Sequence, residues 1–121
     1  FEFNGKVYNS SEFLSEDKPG KEISIIPDTR YFEGLDEFVK NSNIIITECT
    51  YLLKEDAHHA RKNYHLSILD VEKMIENSKV ENLFLTHISA RYDRNIEKDV
   101  VESLCDKCSV KIAHDLEEYT L

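Results

Sequence analysis

Apolar residues recur along this chain in two rhythms. Short continuous runs lie at Ile23-Ser24-Ile25-Ile26, Ile44-Ile45-Ile46, Leu83-Phe84-Leu85 and Val110-Lys111-Ile112. Runs of that length, rich in β-branched residues, predict buried strands over Glu22–Pro27, Asn43–Thr47, Leu83–Leu85 and Ser109–Ala113. Between them the apolar spacing changes to three and four. It predicts helices over Glu33–Lys40 with Leu35, Phe38 and Val39 inward, over Ala57–Asn63 capped by Asp56, and over Ile68–Asn77. A fourth helix, Ile96–Leu104, presents Ile96, Val100, Val101 and Leu104. Ser67 and Asp70 have the spacing of a capping box opening the third helix. At the amino end, Asn4-Gly5 predicts a hairpin turn between Phe1–Phe3 and Val7-Tyr8. Ser10-Ser11 predicts a capped turn reaching Leu14, and Glu117–Leu121 an edge strand. Alternating strands and helices make this an α/β fold in one domain, with a single sheet carrying helices on one face.

Composition narrows the class. The chain has 121 residues, 40% of them apolar, enough for one modest core. No apolar run approaches the ~20 residues of a membrane helix, so no membrane partner is expected. Three cysteines, with Cys105 and Cys108 as a single Cys-x-x-Cys, lack the second pair of a structural zinc site. They point to incidental reduced thiols and a cytoplasmic setting. The net charge of −9 argues against a broad nucleic-acid-binding face on this chain. The start at Phe1 suggests a piece of a longer protein or a processed chain.

The four strands share a second property: each releases an ionisable group as it leaves the core. Asp28 follows the first, Glu48 the second, His87 the third, and His114 with Asp115 the last. Residues of these types at the carboxyl ends of buried strands are what a metal-assisted hydrolase uses. His65 stands just outside a helix amino terminus, where unpaired N–H groups favour an anion such as phosphate.

The stretch Leu85-Thr86-His87-Ile88-Ser89-Ala90-Arg91-Tyr92 resembles the last metal motif of ribonuclease Z, a metallo-β-lactamase-fold endonuclease that trims the 3′ ends of tRNA precursors. Asp28-Thr29-Arg30-Tyr31 resembles the Gly-Asp-Thr segment of that family, with Pro27 in the glycine position. Thr47-Glu48-Cys49-Thr50 is similar to its His-Glu-Ala-Thr segment and His65-Leu66-Ser67 to its His-Ser-Thr segment. Ala113-His114-Asp115 fits as well. The family's His-x-His-x-Asp-His motif, its isolated middle histidine and its Pro-x-Lys-x-Arg segment do not occur in the chain. The resemblance therefore implies the carboxyl-terminal half of an αββα sandwich.

It also implies roles. Asp28 bridges two zinc ions and His87 ligates one of them. His65 faces the scissile phosphate and acts on the leaving oxygen, with Glu48 holding its tautomer. Arg91, Arg30 and Ser67 are candidate phosphate contacts. Two ligands are too few for even one catalytic zinc, which takes about three protein ligands. The chain alone is thus expected to be silent and prone to form a homodimer, with an amino-terminal half supplying the other ligands and a tRNA precursor as substrate. Two other readings stay open: hydrolysis of a small phosphodiester, which suits the acidic charge, and a non-catalytic half-domain that binds a partner.

Overall fold

The computed structural model of the chain describes residues 1–120. It opens with a hairpin of β1 (Glu2–Phe3) and β2 (Lys6–Val7). Asn4 and Gly5 turn it with φ of 52° and 72°, the paired left-handed geometry that Asn-Gly adopts readily. A short 3₁₀ turn over Ser10–Glu12 follows, with Asn9 rather than a serine at its cap position.

The rest is one parallel sheet with its strands in chain order: β3 (Ile23–Ile26), β4 (Ile44–Glu48), β5 (Asn82–Thr86) and β6 (Ser109–Ile112). Parallel neighbours require crossovers, and α1 (Leu35–Val39), α2 (Ala57–Asn63), α3 (Ile68–Ile75) and α4 (Arg94–Leu104) lie in them. Side chains alternate along each strand, so the sheet has two unlike faces. The rows Ser24, Ile45, Leu83, Val110 and Ile26, Thr47, Leu85, Ile112 are in register and all buried. They share one core with Leu35 and Val39 of α1, Val71 and Met74 of α3, and Val100 and Leu104 of α4. That places α1, α3 and α4 on a single face, as the sequence pattern predicts.

The opposite face lacks such a cover. Ile23 and Ile25 are 50% and 65% exposed, and the row continues through half-buried Ile46. Ile44, in register with Ile23, is buried there, and Phe84 is shielded by the edge of the Tyr119 ring at 5.0 Å.

Several details depart from the sequence reading. The first helix is one and a half turns long, so Leu35 and Val39, four apart, take its inner side and Phe38 is left 59% exposed. Asp56 makes no capping bond to α2; its carboxylate accepts the Tyr92 hydroxyl at 2.6 Å instead. The fourth helix begins two residues early because Asp93, not foreseen, accepts the N–H groups of Asn95 and Ile96. The capping box of α3 is present, the Asp70 carboxylate taking both the Ser67 N–H and the Ser67 hydroxyl. No edge strand forms over residues 117–120; Tyr119 reaches back to donate to the Ile112 carbonyl, and Leu121 lies outside the described residues. Pro27 follows β3, an edge strand, just beyond its last ladder pair, where a missing N–H breaks no sheet bond.

The two faces should respond differently to truncation. Leu83→Ala opens the shared core and should lower stability by about 2–5 kcal/mol. Ile25→Ser, on the open face, should change it by no more than about 0.5 kcal/mol. Urea unfolding of the two variants compares them directly, and equal losses would contradict a one-sided sheet.

Candidate metal and phosphodiester site

Glu48 ends β4 with its side chain in the interior, at 0% exposure. A carboxylate there needs every acceptor position filled. Its Oε1 takes the Thr29 N–H at 3.0 Å, the Leu66 N–H at 3.1 Å and His65 Nδ1 at 3.1 Å. Its Oε2 takes the Thr50 N–H at 3.1 Å and the Thr50 hydroxyl at 2.8 Å. One side chain therefore ties the end of β4 to the turn after β3 and to the entry of α3.

The pattern sets the histidine tautomers. A carboxylate only accepts, so His65 presents Nδ1–H to Glu48 and turns Nε2 to the site. The single proton of Thr50 Oγ1 is given to Glu48. Its 2.8 Å contact with His87 Nδ1 must then be donated by the imidazole, which in the neutral ring leaves the Nε2 lone pair free. That nitrogen lies 3.4 Å from Asp28 Oδ2. The two rings stack loosely, with centroids 5.1 Å apart. Asp28, His65 and His87 each offer a ligand atom, all within 4.8 Å of one another. Oxygen and imidazole nitrogen are a zinc donor set, and the bond from each Nδ1 to a fixed acceptor is how metal-binding histidines are held. The set fits zinc in kind and falls short of a closed site in number.

His87 reaches this place at the cost of an unfavourable backbone. Its φ is 55°, in the left-handed region that histidine enters more easily than most residues, directly after β5.

No family model matches the chain. Ribonuclease Z of an Exiguobacterium species is 36% identical over 121 residues, which is 100% of this chain and 40% of that protein. Ribonuclease Z of Staphylococcus epidermidis is 41% identical over 93 residues, 77% of this chain and 30% of that protein. The chain belongs to the ribonuclease Z family. It spans 40% or less of the length of these relatives and matches their carboxyl-terminal part. The metallo-β-lactamase-fold protein YhfI of Bacillus subtilis superposes with a TM-score of 0.57 over 75% of this chain and 36% of its own, at 22% identity. That likeness bears on the fold: α/β, of the metallo-β-lactamase type.

Of the residues singled out by their likeness to ribonuclease Z, the structure gathers Asp28, Glu48, His65 and His87 at one rim. Others lie elsewhere. Arg91 is held 3.6 Å from Asp56 with its guanidinium 5.2 Å over the Tyr51 ring, which anchors the loop after β5. Asp56 in turn takes the Tyr92 hydroxyl, and burial together with that bond pushes the phenol up to about 12. Ser67 is 1% exposed with its hydroxyl in the capping box, so it does not reach substrate. His114 pairs with Glu97 at 3.6 Å and faces a separate polar cavity shared with His87. Cys49 is wholly buried; burial, then the Glu48 charge beside it, pushes its thiol far above the ordinary range. It is an inert packing residue.

Thr50 is the residue that sequence reasoning passed over. It stands in the Thr47-Glu48-Cys49-Thr50 segment, but nothing in one dimension shows that its hydroxyl joins Glu48 to a histidine 37 residues away. Thr50→Val keeps the shape and removes the acceptor for His87 Nδ1–H. Zinc affinity should fall about 10–100-fold, the usual effect of losing such a support, and stability should fall by about 1–3 kcal/mol because the buried Glu48 carboxylate loses a donor. Titration with zinc checks this; unchanged affinity would mean that the hydroxyl does not orient His87.

Proposed function

We propose that this chain supplies the carboxyl-terminal half of a zinc-dependent phosphodiesterase of the ribonuclease Z type, acting on the 3′ ends of tRNA precursors in a cytoplasmic setting. One observation carries the proposal. Asp28, His65 and His87 converge within 4.8 Å while both histidines have Nδ1 fixed, directly or through Thr50, by one buried carboxylate. A purely structural cluster has no need to free two imidazole Nε2 atoms at the same point.

Asp28 and His87 are the ligands offered from this half, Asp28 suited by its two oxygens to touch two ions. Zinc at such a site supplies Lewis acidity toward the phosphate and an activated water. The protein's own part is positional. As the imidazolium, His65 keeps Nδ1–H against Glu48 and gives its Nε2 proton to the leaving oxygen. Glu48 fixes that ring and, through Thr50, the tautomer of His87. The open sheet face, with Ile23 and Ile25 exposed, fits packing against an amino-terminal half that brings the remaining ligands. Alone, the chain should associate through that face into dimers or larger species.

The net charge of −9 favours a second reading, with a small phosphodiester in place of RNA. The two substrates separate by salt dependence: cleavage of a tRNA precursor should weaken steeply as salt rises, and that of a small diester hardly at all.

Three results are expected. The 121-residue chain alone should bind zinc weakly and cleave nothing, and joining or mixing it with an amino-terminal half should restore both. In the reconstituted enzyme Asp28→Ala should lose most of the zinc, and His87→Ala the occupancy of one ion. His65→Ala should keep the zinc yet slow cleavage about 10²–10⁴-fold. Full zinc content in Asp28→Ala would overturn the ligand assignment. Metal lost from His65→Ala would make His65 a third ligand instead of an acid.

A further inference from the structure

The loop after β5 carries His87 at its first residue, and its far end is gripped by a side chain outside the cluster of Asp28, His65 and His87. The Tyr92 hydroxyl donates to Asp56 Oδ2 at 2.6 Å, and Arg91 Nη1 lies 3.6 Å from Asp56 Oδ1. The Asp56 side chain is 16% exposed and the Tyr92 ring it meets is buried. Asp56 stands immediately before α2, where an aspartate ordinarily accepts the first free N–H groups of the helix. Its backbone there is helical, with φ of −84° and ψ of 0°, and it caps nothing. A local capping bond is forgone for one to a residue 36 positions away.

The other end of α2 leads to the second imidazole. Asn63, its last residue, donates its amide to the Tyr51 hydroxyl at 2.7 Å, and the Arg91 guanidinium lies over the same Tyr51 ring. Tyr64 then turns the chain with φ of 62°, and the His65 N–H returns to the Ala60 carbonyl at 2.9 Å. Tyr51 is also tied by its backbone to the entry of α3, donating to the Leu66 carbonyl at 3.3 Å and accepting from the Ile68 N–H at 2.8 Å. Helix α2 is thus a short strut, with the His87 loop held at one end and His65 leaving from the other. On the inner side the loop is fixed near its start, where the Ser89 N–H donates to the Thr50 carbonyl at 3.1 Å. A left-handed backbone such as that of His87 persists only where its surroundings over-determine it, and Asp56 supplies the far anchor.

We propose that Asp56 is a positioning residue: by holding Tyr92 and Arg91 it fixes His87 relative to His65, and so the metal ligand relative to the proton donor. This rests on the phosphodiesterase reading, because there the two imidazoles must keep one spacing for the chemistry. Asp56 touches neither the substrate nor the metal and acts through the loop. Misplacing a reacting group by about 1 Å is enough to slow a reaction about 10²-fold, so a loose loop is felt in the rate before it is felt in folding. The Tyr92 phenol, pushed up to about 12 by burial and by this bond, stays a donor at neutral pH.

The test uses the complete protein, with the amino-terminal half present, at saturating zinc and with a small phosphodiester as substrate. Asp56→Ala should lower kcat about 10–100-fold, with KM within about twofold of wild type and zinc content unchanged. Tyr92→Phe should reproduce most of that loss, and the double variant should be little worse than Asp56→Ala alone. Asp56→Asn, which still accepts the Tyr92 hydroxyl, should recover most of the rate. Val100→Ala, in the core on α4, lowers stability without touching the tie and should keep kcat. A normal kcat in Asp56→Ala, or the same loss of kcat in Val100→Ala, would make Asp56 merely structural and overturn the proposal. Amide exchange in the metal-free complete protein separates this outcome from that of the phosphodiesterase reading. Exchange of the Ser89 N–H should quicken about tenfold in Asp56→Ala while the amides of β4 keep their wild-type rates. Unchanged Ser89 exchange would overturn the tie even in an active enzyme. Faster Ser89 exchange in a protein that takes no zinc and cleaves nothing would instead sink the hydrolase and leave Asp56 as the anchor of the loop.

Discussion

The carboxylate of Glu48 is the constraint on which the site depends. Burying a charge with no partner would be prohibitive, and here five donors surround one group. Three of them are backbone N–H groups, from Thr29, Thr50 and Leu66, so the side chain organises loops as well as rings. Remove it, and those N–H groups and His65 lose their acceptor, while Thr50, which holds His87, loses its own. Stability and site geometry are coupled through a single residue, which is why a substitution at Glu48 cannot be read as loss of one hydrogen bond.

The sheet explains how three separate segments reach that carboxylate. Parallel strands all finish at the same edge, so the turns after β3, β4 and β5 are neighbours without any special loop design. Asp28, Glu48 and His87 inherit their proximity from strand register. His65 arrives differently, from the entry to α3, where the bridge between Tyr51 and Ser67 brings the chain back beside β4. The left-handed backbone at His87 is the local strain this arrangement stores, and it occurs at the proposed ligand.

The charge of the molecule is unevenly used. Acids outnumber bases overall, yet the ground beside His65 is walled by Arg30, Arg61 and Lys73, none of them in an ion pair among the described residues.

Much of this was legible in the sequence, because periodicity and burial are linked one residue at a time. The four strands, the one-sided helices, the Asn4-Gly5 turn and the Ser67–Asp70 box are local consequences of side-chain type and spacing. So was the list of ionisable groups at strand ends, and the octapeptide ending in Tyr92 named the family before any geometry was known. What the chain could not state in one dimension was which side chains were already engaged. Arg91 and Ser67 look free in the sequence and are occupied in space, by Asp56 and Tyr51 and by Asp70. Thr50 looks ordinary and decides which nitrogen of His87 carries the proton. Phe38 looks like core and is exposed, because a helix of five residues has room inside for only two. Hydrogen-bond partnership is a property of pairs distant in sequence, set only when strand register and loop paths bring them within about 3 Å. Tertiary structure alone could decide it.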